Sequence, residues 1–104
     1  MEKKEYDKVL LSKVRPKLRK LYETSKPIIH FFNKNSSFPD MIMVSVLLQN
    51  AYSSDSIDEI KKISSLIKKV SDYNKTHIIN WISNEMDFII TGEDMALEMM
   101  LTQE

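Results

Sequence analysis

The chain has 104 residues, 42% of them hydrophobic and 29% charged, with no cysteine and a formal net charge of zero. That length makes a single domain, residues 1–104, with one core. The composition excludes disulfides and thiolate chemistry, and no run of 18 apolar residues is present to span a membrane. The charged start Met1-Glu2-Lys3-Lys4-Glu5 has no apolar stretch behind it and does not read as a secretory leader, so a cytoplasmic location is expected.

The zero sum hides a polarity. Residues 1–27 carry nine Lys/Arg against four Asp/Glu, whereas residues 81–104 carry six Asp/Glu and no Lys/Arg. A single glycine, Gly92, is too little turn chemistry for a many-stranded protein. The expected fold is therefore all-α, one small bundle of about five short helices. Lysine outnumbers arginine 13 to 2 and there are 12 isoleucines against 2 alanines, the codon bias of an AT-rich genome. Low-GC bacteria, their phages or their plasmids are the expected source.

Residues 5–24 read as an amphipathic helix. Leu11, Val14, Leu18 and Leu21 recur at helical spacing, with Leu10 and Tyr22 widening the stripe. Lys8, Arg15 and Arg19 flank it on one side, and Lys13, Lys17 and Lys20 on the other. Pro16 falls on the outward face, where it removes a hydrogen bond to Ser12 and is expected to kink or divide the helix. Ser25-Lys26-Pro27 then reads as a restart, with proline in a first turn, and the short helix that follows ends in the polar run 33–37.

A second serine-then-proline start, Ser37-Phe38-Pro39-Asp40, precedes Met41 to Leu48, which is apolar at seven of eight positions. Apolar all round predicts buried all round, as in the central helix of a bundle. The β-branched content also permits a buried strand, although no hairpin partner is evident. Ser56-Ile57-Asp58-Glu59 is a capping box ahead of Ile60, Ile63, Ile67 and Val70 on one face. Residues 75–90 place Ile78, Ile79, Ile82, Met86, Ile89 and Ile90 on one side and Trp81 and Phe88, seven apart, on the other. Thr91-Gly92-Glu93-Asp94 predicts a break and a new cap, followed by a last helix over roughly 92–103.

Catalytic signatures are missing. No G-x-S-x-G, P-loop or G-x-G-x-x-G motif is present, and His30 and His77 lie apart without a ligand at metal-binding spacing. No enzyme activity, cofactor or metal is expected. Glu85, Asp87, Glu93, Asp94 and Glu98 lack the spacing of a calcium loop and read as a solvated acidic face.

Two surfaces remain for function. Trp81 and Phe88, with Met95, Met99 and Met100, form a candidate protein-docking surface, because aromatics dominate interface hot spots and methionines adapt to partners. The competing reading buries both aromatics in a helix covered on two sides. The cations Lys8, Lys13, Arg15, Lys17, Arg19 and Lys20 form a candidate nucleic-acid surface, against which stand the zero net charge and the lack of an Arg/aromatic reading face. The expected function is thus a non-enzymatic phage- or plasmid-type regulator bound to a protein partner. The alternatives are a nucleic-acid-binding regulator and an immunity- or inhibitor-type bundle. A homodimer is a further expectation, the basic first helix of one copy meeting the acidic last helix of another.

Overall fold

The computed structural model describes residues 1–35, 39–74 and 76–103. Among these there are four α-helices and no strand: α1 (Lys3–Asn35), α2 (Pro39–Ser53), α3 (Ile57–Asn74) and α4 (His77–Thr102). The all-α class holds, but the five short helices become four, two of them long. Met41 to Leu48 is helix, which settles it against a strand. Ser36 of the polar run, and Ser37 and Phe38, the first part of the second predicted start, lie outside the described residues.

Three predicted divisions of the helices, at Pro16, Pro27 and Gly92, do not occur. α1 runs through both Pro16 and Pro27. Its buried residues Leu11, Val14, Leu18, Leu21, Ser25 and Ile29 follow one another at steps of three and four, so a single apolar stripe crosses both prolines. The prolines sit on the exposed side, where the freed carbonyls face water. α4 likewise runs through Gly92. Ile82, Met86, Ile90 and Leu97 keep one face buried across it, and each side chain buried contributes about 1.5–3 kcal/mol, more than the ~1 kcal/mol that a helical glycine costs.

Every neighbouring pair of helices is antiparallel. Tyr22 of α1 meets Tyr52 of α2 with ring centroids 5.5 Å apart, and Gln49 Nε2 donates to Tyr22 Oη at 2.6 Å. Ser64 of α3 donates to Asp87 of α4 at 2.6 Å. Lys17 of α1 pairs with Glu93 of α4 at 2.5 Å, closing the ring of four. α1 sets the long dimension: 33 residues at 1.5 Å rise make about 50 Å, against a longest extent of 53 Å.

Because each helix packs mainly against two others, with α1 and α3 only touching across the core, none is central. That corrects the expectation for α2. Met41, Val44, Leu48 and Ala51 face the core, whereas Ile42, Met43 and Val46 are about half exposed. The capping box at α3 is half as expected. Ser56 Oγ accepts from Glu59 N–H at 3.2 Å, but Glu59 takes a hydrogen bond from Ser54, which also accepts the Ser56 N–H at 3.1 Å.

A clasp ties the first turns of α1 to α4. Tyr6 Oη donates to Asp94, both to its carboxylate and, at 3.2 Å, to its carbonyl oxygen. Burial first, then the hydrogen bond and charge of Asp94, with Glu98 and Asp7 adding, push the phenol above its usual range. The folded pKa exceeds the unfolded one, so the clasp is fully stabilising below about pH 10 and is lost as pH rises through the folded value. Tyr6→Phe is expected to lower stability by about 1 kcal/mol and to flatten the alkaline decline of the thermal midpoint. An alkaline limb identical to that of the parent protein would acquit Tyr6.

Candidate docking face

α4 separates its side chains cleanly. Ile79, Ile82, Ser83, Met86, Ile90 and Leu97 are buried on one side. On the other, Trp81 is 39% exposed, Phe88 74%, Met95 57% and Met99 60%. At 100° per residue these four fall within about 40° of arc, a single line along the outer face of α4. Met100, 59% exposed, lies further round the helix. The reading that buried Trp81 and Phe88 on both sides is therefore corrected: with α1 and α3 as its only flanking helices, α4 has no third neighbour to cover them.

Trp81, at one end of the line, borders a groove between α1 and α4 of about 340 Å³. Lys17, Lys20, Leu21 and Thr24 line it from α1, and Trp81, Glu85 and Ile89 from α4. Apolar floor and charged rim thus lie together, and the rim holds both signs. The acids of α4 are largely engaged within the chain: Asp87 with Ser64, Glu93 with Lys17 and Asp94 with Tyr6. Among the described residues no group of three or more His, Asp or Glu is placed to hold a metal. His30 lies well away, in a groove of about 490 Å³ lined also by Lys26, Pro27, Ile29, Ile42 and Ser45.

The six candidate cations do not share one surface. Arg15 and Arg19 turn toward α2, in a groove with Pro16, Tyr52 and Ser53, while Lys17 and Lys20 turn toward α4. Arg15 Nε donates to the Tyr52 carbonyl at 3.2 Å and its guanidinium lies 3.6 Å from Asp55. Arg19 pairs with Glu23 at 3.3 Å. Lys8 borders a separate groove with Lys4, Asp7 and the start of α3, and Lys13 stands exposed.

One exposed apolar region is not evident from motifs or periodicity. Ile28, Phe31 and Phe32 near the end of α1, and Ile42, Met43 and Val46 on the outer side of α2, are 36–61% exposed. Its signal lies in charge spacing: residues 27–54 carry only Lys34 and Asp40. A stretch without charges leaves the outer faces of its helices apolar wherever they are not covered.

Among the described residues no helix is long and apolar enough to cross a membrane. No family model matches the chain, and no curated protein or solved structure matches it at a significant level.

Proposed function

We propose that this is a non-enzymatic regulatory protein of the cytoplasm that acts by docking the outer face of α4 on a protein partner, as phage- or plasmid-type modulators and immunity- or inhibitor-type bundles do. The observation that carries it is the exposed line Trp81, Phe88, Met95 and Met99; Met100, also exposed, lies about 100° further round the helix. Two aromatics and several methionines, 39–74% exposed on a helix whose opposite face is buried, have the composition of a hot-spot cluster and not of an ordinary solvated face. Engagement of Arg15, Lys17 and Arg19 by acids of the same chain favours this over the nucleic-acid reading, since phosphate binding draws on cations gathered on one accessible face.

The test pairs capture with stability. Tagged protein is used to recover partners from nuclease-treated lysate, beside the Trp81→Ala/Phe88→Ala variant. The expected result is loss of the recovered partner by this variant and by Phe88→Ala alone, the latter with a thermal midpoint within about 5 °C of the parent because Phe88 is 74% exposed; Trp81, 39% exposed, also packs within the chain. Recovery by the variant equal to that of the parent would clear α4 of a docking role. Binding abolished instead by Arg15→Gln/Arg19→Gln/Lys20→Gln, with a steep salt dependence, would favour nucleic acid.

A further inference from the structure

We propose that the face formed by α1 and α4 is the interface of a two-fold dimer of this chain, with α1 of each copy lying against α4 of the other. The inference rests on the reading of α4 as a docking face and names its occupant. Three observations support a second copy.

The first is area. Trp81, Phe88, Met95 and Met99 expose roughly 500 Å² of apolar surface between them, taking an aromatic as 150–250 Å² when whole. A standard stable interface covers about 800 Å² per partner, a little over half of it apolar. The line thus supplies the apolar share of one subunit interface.

The second is continuity with α1. Lys13, Lys17, Lys20, Thr24, Ile28 and Phe31 follow at steps of three and four, so they share one side of α1. The groove that joins Lys17, Lys20 and Thr24 to Trp81 and Glu85 shows that this side turns the same way as the α4 line. The face is two helices wide, basic on one and acidic and apolar on the other.

The third is charge, which also chooses the axis. A two-fold perpendicular to the helices would lay α1 on α1, lysines on lysines, and α4 on α4, a helix with acids and no Lys or Arg. A two-fold parallel to the helices keeps each residue at its own level and exchanges the helices. Lys20 and Glu85 border the same groove, so this axis sets Lys20 of one copy over Glu85 of the other, twice. Neither Lys20 nor Glu85 has an ion-pair partner within its own chain among the described residues. Opposite charges therefore meet across the interface at both ends of the exchange.

Sedimentation equilibrium of the full chain, from about 1 µM to about 300 µM, tests this. The expected result is a reversible dimer that weakens as salt rises beyond about 0.15 M. Phe88→Glu is expected to weaken it at least 100-fold with the helical circular dichroism unchanged, because Phe88 is largely exposed in the single copy. Lys20→Glu and Glu85→Lys are each expected to weaken it about tenfold or more, and an equimolar mixture of the two to recover both opposite-charge contacts as a heterodimer. A chain that is monomeric at every concentration overturns the dimer, as does a dimer indifferent to Phe88→Glu or a mixture no stronger than its components. The docking face itself is judged separately. A monomeric chain whose partner capture still depends on Trp81 and Phe88 keeps the face and discards the second copy as its occupant.

Discussion

Leu18→Ala is expected to lower stability by about 3–5 kcal/mol and the thermal midpoint by roughly 15 °C or more. Leu18 has no exposed surface and sits midway along the α1 stripe. It belongs to one continuous core with Val44 and Leu48 of α2, Ile60 and Ile67 of α3, and Ile82 and Met86 of α4. Removing three carbons there forfeits their transfer free energy and leaves a cavity that four antiparallel helices close only by shifting together. A domain of this size has about 5–15 kcal/mol in all, so roughly a fifth or more of its stability is at stake. Thermal and urea unfolding followed by circular dichroism measure it. A loss below about 1 kcal/mol would mean that the four stripes do not pack against one another at this level.

The contrast with α4 gives that measurement its functional weight. Leu18→Ala and Phe88→Ala both delete a large apolar side chain. One comes from a site with no exposed surface and the other from a site 74% exposed. The first acts on folding, the second on whatever covers the face. Phe88, Met95 and Met99 are more than half exposed, so capture and sedimentation, more than unfolding, are the measurements that report on the proposed docking face.

Local features are legible in the sequence and neighbour counts are not. The α3 start is readable because Ser56 and Glu59 act within one turn, and the α3 stripe because Ile60, Ile63 and Ile67 repeat at helical spacing. Trp81 and Phe88 separate from the buried isoleucines by the same arithmetic. Whether anything covers them depends on how many helices flank α4, which spacing does not encode. α2 shows the limit most plainly. With seven apolar residues in eight positions, no polar residue marks the outer side, and only the four-helix arrangement decides that Val44 and Leu48 turn inward while Ile42 and Val46 do not. The breaks expected at Pro16, Pro27 and Gly92 fail for a related reason. Each is a real local penalty, and each is outweighed by a stripe that continues past it.

Pro16→Ala and Pro27→Ala are accordingly expected to stabilise the protein, by about 1–2 kcal/mol each. Both residues lie inside α1 on its exposed side, and each leaves one carbonyl, of Ser12 and of Glu23, without its helical donor. The interior penalty for proline relative to alanine is about 3 kcal/mol. Hydration of an outward carbonyl reduces it, and the stiffer unfolded chain that proline gives offsets roughly a further 0.4–1 kcal/mol. The double variant is expected to melt roughly 10 °C higher, and Gly92→Ala, with nothing within 4 Å of an added Cβ, should add about 0.5–1 kcal/mol more. Pro16 also separates Arg15, which reaches Tyr52 and Asp55, from Lys17, which reaches Glu93. A loss of stability in Pro16→Ala would therefore show that the geometry proline imposes is what lets adjacent cations engage helices on opposite sides of α1. A gain would show that the apolar stripe alone holds α1 in place.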